Sequence, residues 1–177
     1  MNMIVRRVLW GLVLSLSLGE VFAGVLVSAQ VAGDGVSGNV AEMRGSGDVV
    51  AGPASESAEI LRYVNEYRHS KGLKPLQANS FISSVALDHS RDMLSGKTPF
   101  GHDGFRDRID RIKKRLGPIH VAAENVASGP MGAREVVDGW LHSPGHRRNI
   151  EGDFRLTGIG LAYGKRGMIY FTQIFTK

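Results

Sequence analysis

The end of the chain constrains the fold most strongly. Two apolar segments with β-branched and aromatic residues, LTGIGLAYG and GMIYFTQIFT, are separated only by the turn GKRG at residues 164–167. So short a connection predicts two antiparallel strands joined as a hairpin. Gly164 and Gly167 are expected at the positive φ values that such a turn needs.

Helical patterns come before this hairpin. Apolar residues recur at helical spacing in four segments, at residues 60–67, 81–93, 105–116 and 133–141. Ser57 is the predicted N-cap of the first helix, and Asn79 or Ser80 that of the second. A short strand is predicted near residues 120–124, with Glu124 close to its end. Because strands and helices do not alternate, the pattern favours an α+β fold, a three-layer α-β-α sandwich with a small antiparallel sheet between helices.

The first 29 residues have the pattern of a secretory signal peptide. Two arginines precede an apolar stretch, and small residues allow cleavage after Ala23 or Ala29. The alternative is an uncleaved segment that anchors the chain in the membrane. Glu20 argues against this alternative, because a carboxylate is costly in hydrocarbon. The sequence therefore predicts a secreted or periplasmic protein.

Residues 30–57 are rich in glycine and lack aromatic residues, which predicts a flexible spacer ahead of one domain at residues 58–177. The chain contains no cysteine, so neither a disulfide nor a thiol nucleophile is available. A domain of this length can be stabilised by its hydrophobic core alone.

The net charge is +5, and positive residues concentrate in the predicted third helix, at residues 106–115. Six basic side chains lie there: Arg106, Arg108, Arg111, Lys113, Lys114 and Arg115. One interpretation is a surface for an anionic polymer or lipid surface of the cell envelope. The other is a solvated helix face crossed by ion pairs. Nucleic acid is not an expected partner of an exported chain without a nucleic-acid motif.

Three polar residues are the candidate site. His102, Glu124 and His146 lie in FGHDG, AENVASG and SPGH, each a glycine-marked turn or the end of an element. Two imidazoles and one carboxylate can hold a catalytic divalent metal and leave a position for water. Nothing local in the sequence forces the three together, so a shared cleft and separate structural roles both stay open.

The pair His142 and His146 is not a metal-binding helix. Pro144 lies between them and cannot continue a helix, so His142 is predicted to end one element and His146 to begin another. No serine-hydrolase motif and no phosphate-binding glycine loop is present in the sequence. The remaining histidines carry little signal, and His89 is predicted as a buried or half-buried histidine beside the core.

The ordered motifs resemble a known family. They are VNEYRHSKGLKPLQANSFISSVALDHSRDM, GHDG, AENVASG, VVDGWLHSPGHRRNI, TGIGLAY and IYFTQIF. Together they look like the bacterial branch of the CAP superfamily, which comprises cysteine-rich secretory proteins, antigen 5 and pathogenesis-related 1 proteins and is also called the SCP domain. The resemblance covers about residues 58–177. It implies an α-β-α sandwich with a cleft of two histidines and two acidic residues, which binds divalent cations in several eukaryotic members.

By motif, His102 matches the first cleft histidine and Glu124 matches the glutamate of the family's G-E-N motif. His146 matches the histidine of the bacterial S-P-G-H-R motif. The chain departs from the eukaryotic pattern at Ser143, where the second acidic residue is expected, and at Tyr170, where a histidine is expected.

In the same strand Gln173 is expected to point toward the cleft. The resemblance and the residues thus predict a binding module without catalysis, whose cleft of His102, Glu124, His146 and Gln173 takes a divalent metal, a small ligand or an envelope component. The alternative is a metal-dependent hydrolase of peptide or cell-envelope substrates, with both histidines as ligands and Glu124 as ligand or general base. A third interpretation makes His146 and Asn149 structural, tying down the turn after the fourth helix.

Overall fold

The computed structural model describes residues 52–177. The predicted signal peptide and residues 30–51 of the predicted spacer lie outside the described residues. The described part contains these helices and strands: α1 (Pro53–Ser70), β1 (Gln77–Ala78), α2 (Ser80–Ser95), α3 (Phe105–Leu116), β2 (Ala122–Gly129), α4 (Ala133–His142), α5 (Pro144–Ile150), β3 (Leu156–Tyr163) and β4 (Ile169–Thr176). None of these helices is long and apolar enough to cross a membrane.

The strands form one sheet in the order β1-β3-β4-β2. β4 pairs antiparallel with β3 on one side and with β2 on the other, and β1 runs parallel to β3. The predicted antiparallel sheet is confirmed for β2, β4 and β3, and β1 adds a short parallel strand at one edge. Residues 77–79 are held extended there because Gln77 N and Asn79 N donate to the carbonyls of Arg155 and Thr157 at 2.9 and 2.8 Å.

Helices cover both faces of this sheet, which confirms the three-layer sandwich. One core joins α1, α4 and α5 to the face that carries Phe171 and Phe175, and the other joins α2 and α3 to the face that carries Ile174. α2 packs closely on β3 because Gly160 has no side chain. A Cβ atom on Gly160 would lie 2.0 Å from the backbone nitrogen of Leu87.

The helix ends follow local chemistry. Asn79 is the N-cap of α2, as predicted, and its side chain accepts from the backbone N–H groups of Phe81 and Ile82. α1 begins at Pro53 rather than after Ser57, because proline's fixed φ suits the first turn of a helix and its missing N–H has no partner to lose there.

Two further expectations need correction. β2 pairs with β4 along eight residues, so Glu124 is its third residue and does not lie near its end. Of the two glycines in the hairpin turn, only Gly167 has a positive φ, at 74°. Arg166, at φ 56°, takes the second left-handed position, whereas Gly164 is extended, because the turn closes through a short 3-10 segment.

Candidate functional site

Glu124 is the centre of the candidate site. Side chains alternate between the two faces of a strand, and Glu124 pairs in register with Ile174 on the face covered by α2 and α3. Its carboxylate is only 2% exposed. A charge in such a place requires partners, because an unpaired buried carboxylate costs several kcal/mol.

Arg108 of α3 is the first partner. Its Nε donates to Oε2 of Glu124 at 2.8 Å and its Nη2 donates to Oε1 at 2.7 Å, a two-pronged pair. Its Nη1 donates to the carbonyl of Asp103 at 2.7 Å. The guanidinium therefore joins strand β2 to the loop that carries His102.

His102 is the second partner. Its Nδ1 lies 2.9 Å from Oε1 of Glu124. Because a carboxylate can only accept, Nδ1 must carry the proton, so a neutral His102 ring has Nε2 as its free acceptor. The side chain is 20% exposed, so it lies at the boundary between the buried carboxylate and solvent.

His89 completes the cluster from α2, a role that the sequence pattern did not predict. Its side chain is buried, with Nε2 at 2.9 Å from the carbonyl of Gly101 and 3.9 Å from Oε1 of Glu124. The shorter contact is the hydrogen bond, so Nε2 donates to the loop carbonyl. Burial lowers the pKa of His89, although the negative charge of Glu124 acts in the opposite direction.

The surroundings keep Glu124 ionised. Burial alone would raise the pKa of its carboxyl group, but the hydrogen bond from His102 and the charge and hydrogen bonds of Arg108 outweigh burial and lower it. The buried positive charge of Arg108 and the buried negative charge of Glu124 thus balance each other.

His146 approaches the same edge of the sheet from α5. Its carbonyl accepts from Asn125, and Asn149 of the same helix donates to the carbonyl of Glu124 at 3.2 Å and to Oδ1 of Asn125 at 2.9 Å. Burial, with a smaller contribution from the charge of His102, lowers the pKa of His146 to about 4. Its ring is therefore neutral at neutral pH.

The structure thus joins His102 to Glu124 and places the backbone of His146 beside the neighbouring residue Asn125, whereas it separates Gln173 from them. Gln173 pairs in register with Asn125, the neighbour of Glu124, and therefore lies on the opposite face of the sheet. It is fully buried, and its Nε2 donates to Oγ1 of Thr157 at 3.2 Å. Tyr170, which stands where the family pattern has a histidine, is on the same face as Glu124.

The donor set does not suit a divalent metal on Glu124. Both carboxylate oxygens already accept from Arg108, and a divalent cation bound there would lie beside the guanidinium charge. No group of three or more histidine, aspartate or glutamate residues within 52–177 is arranged to hold a metal ion. The imidazoles of His102 and His146 are the metal-binding groups that remain.

The basic helix α3 is partly neutralised by its neighbours. Arg108 is turned inward, Arg111 pairs with Asp88 at 2.7 Å, and Lys113 lies 3.7 Å from Asp110. This arrangement favours the predicted solvated face with ion pairs. Binding of an anionic surface stays a prediction, and it would depend on the exposed side chains Arg106, Lys114 and Arg115.

The chain matches a known sequence family and has curated relatives. Residues 61–175 match the model of the CAP family, described as the cysteine-rich secretory protein family. The chain is 35% identical over 130 residues to the uncharacterized protein YkwD of Bacillus subtilis (strain 168), an alignment that covers 71% of this chain and 50% of that one.

Solved structures show the same fold. An extracellular protein of Bacillus anthracis that contains an SCP domain superposes with a TM-score of 0.59 and 27% identity, over 71% of this chain and 41% of the other. An outer surface protein of Borrelia burgdorferi superposes with a TM-score of 0.59 and 22% identity, over 69% and 92% of the two chains. This chain spans half of YkwD and less than half of the B. anthracis protein.

Proposed function

Because the chain belongs to the CAP family, we propose that it is an exported binding module whose cleft, formed by His102, His146 and Glu124, holds a small polar ligand of the cell envelope. The extracellular and outer-surface relatives support export, as does the signal-like start of the chain. Export is tested by the N-terminal sequence of the mature protein, which is expected to begin at Gly24 or Gln30.

One observation carries the proposed binding role. The carboxylate of Glu124 is turned inward to Arg108, so it orients His102 and is not itself presented to a ligand. The ring of His102 keeps Nε2 for a ligand, and the neutral ring of His146 can donate or accept. Together they suit the hydroxyl and amide groups of a polar ligand.

The alternative, a metal-dependent hydrolase of peptide or cell-envelope substrates, has less support from the geometry. It requires Glu124 as a metal ligand or general base, but a carboxylate paired with Arg108 and with a lowered pKa is a weak base. The histidine-ring hydrogen bonds within residues 52–177 go to Glu124 and to the carbonyls of Gly101 and Asp138. A hydroxyl activated by an imidazole is therefore not part of the described site.

The binding role is tested with soluble muropeptides prepared from digested cell walls. Side-chain NMR signals of His102 and His146 are expected to shift on titration, and binding is expected to be lost in His102→Ala and in His146→Ala. His69→Ala and His120→Ala are the controls, because both side chains are exposed and neither belongs to the cleft. Equal binding by all four variants would contradict the proposal. Hydrolysis of the same muropeptides, abolished by a chelator and by Glu124→Gln, would favour the hydrolase instead.

The structural interpretation of α5 has support of its own. Asn149 ties this helix to the backbone of Glu124 and to the side chain of Asn125. We therefore assign Asn149 to holding the helix in place and His146 to the cleft. If His146→Ala lowered the melting temperature strongly and left ligand binding unchanged, His146 would be structural as well.

A further inference from the structure

Arg108 occupies a position that a surface-exposed basic helix would not require. Phe105, Ile109 and Ile112 form the inward stripe of α3, and Arg108 lies on this stripe, three residues after the first and four before the last. Its side chain is 12% exposed, whereas that of Arg111, one turn later, is 51% exposed. A charge on the apolar stripe of a helix needs a reason, because burying it is costly.

The guanidinium bonds to both oxygens of the carboxylate. Two of its N–H groups bond to the two oxygens of Glu124, and a third bonds to the carbonyl of Asp103. Gly104, at φ 75°, lets the loop close over the guanidinium, since a Cβ atom there would lie 3.3 Å from Nη1. The guanidinium of Arg108 therefore links helix α3 to strand β2 and to the loop that contains Asp103.

We infer that Arg108 is the permanent positive charge of this cleft, that it excludes a divalent metal from Glu124, and that the cleft binds a ligand through hydroxyl or amide groups without a metal. A metal ion on Glu124 would have to compete with Arg108 and His102, whose three hydrogen bonds use most of the roughly four acceptor positions of the carboxylate. It would also add two positive charges next to an existing one in a poorly solvated place, where repulsion is weakly screened.

The ligand class follows from the charge balance. Arg108 and Glu124 pair with each other, so in the proposed cleft the imidazoles of His102 and His146 are the polar groups left for a ligand. Such a site has no free carboxylate for a cationic ligand, and imidazole nitrogens suit hydroxyl and amide groups. This inference rests on the proposed binding role and adds the chemistry of the ligand to it.

Zinc titration of the mature chain tests the inference, since zinc is the cation best suited to histidine and carboxylate ligands. We expect weak zinc binding by the wild type, measured by calorimetry at pH 7.5, and no change in Glu124→Gln. Arg108→Gln is expected to bind zinc at least about tenfold more tightly, because it frees the carboxylate. The gain should disappear in the double variant Arg108→Gln/Glu124→Gln. Arg111→Gln is the matched control and should bind zinc like the wild type.

Two results would overturn the inference. One is stoichiometric zinc binding by the wild type that weakens about tenfold or more in Glu124→Gln, because Glu124 would then be a ligand beside Arg108. The other is a folded Arg108→Gln variant with no gain in affinity. If Arg108→Gln does not fold, judged by circular dichroism, the comparison of the wild type with Glu124→Gln decides alone. Muropeptide binding is measured separately in the presence of a chelator, so loss of the binding role and loss of the metal-exclusion role are distinguishable.

Discussion

Replacing Arg108 by glutamine is the most informative test of how the site is held together. The change removes the positive partner of a carboxylate that is 2% exposed, and with it three short hydrogen bonds of 2.7–2.8 Å. Removing one member of a buried ion pair costs about 3–5 kcal/mol, because the other charge is left without compensation. His102 still donates to the carboxylate, so we place the loss of unfolding free energy near the lower end, at about 3 kcal/mol.

The assay is urea unfolding at pH 7, followed by tryptophan fluorescence and circular dichroism, with Glu124→Gln completing a double-mutant cycle. We expect a coupling energy of about 2 kcal/mol between Arg108 and Glu124. The control is Arg111→Gln, whose pair with Asp88 has side chains that are 51% and 46% exposed. Exposed pairs contribute less than about 1 kcal/mol. The reasoning would be refuted if Arg108→Gln cost no more than Arg111→Gln, or if the coupling energy were close to zero.

Three other predictions follow from the same structure. The pKa of His146 is about 4 in the folded protein, below its ordinary value of 6.5, so the unfolded chain takes up a proton first. The contribution of the neutral His146 ring to the free energy of unfolding is then fully present above about pH 6.5. It is lost as the pH falls toward 4, by about 1–2 kcal/mol after allowance for solvent screening. Urea unfolding of His146→Gln should show a smaller loss over the same pH range. Asn149→Ala removes bonds of 3.2 and 2.9 Å and should cost about 1–2 kcal/mol, with faster amide exchange in α5. Gly160→Ala brings a Cβ atom to 2.0 Å from the nitrogen of Leu87 and should lower stability by about 3 kcal/mol in thermal melts, whereas Gly139→Ala, with open space around it, should not destabilise.

Much of the fold could be predicted because its signals are local. The hairpin, the Asn79 cap and the helix end before Pro144 each depend on residues adjacent in sequence. The parallel strand β1 could not be predicted in this way. It has only two residues, too few to show a periodicity, and its hydrogen bonds go to Arg155 and Thr157, far along the chain. The left-handed conformation of Arg166 in the turn was missed because glycine was expected to take both left-handed positions.

The motif residues of the candidate site could be predicted from the sequence, but the other side chains around Glu124 could not. His102 and Glu124 were found from glycine-marked segments, and the structure joins them at 2.9 Å. Arg108 was interpreted as part of a basic surface, although its place on the apolar stripe of α3 was a signal that its charge is buried. His89 carried the same kind of signal on the apolar stripe of α2. Gln173 was placed in the cleft by its motif, but strand alternation puts it on the other face of the sheet.

The account depends most on Glu124 being paired with Arg108 and not with a metal. Elemental analysis of the mature protein, purified natively from the exported fraction without chelators, tests this directly. We predict far less than one equivalent of any divalent metal per chain, with the same low content in Glu124→Gln. A metal content close to one per chain in the wild type, lost in Glu124→Gln, would contradict the account.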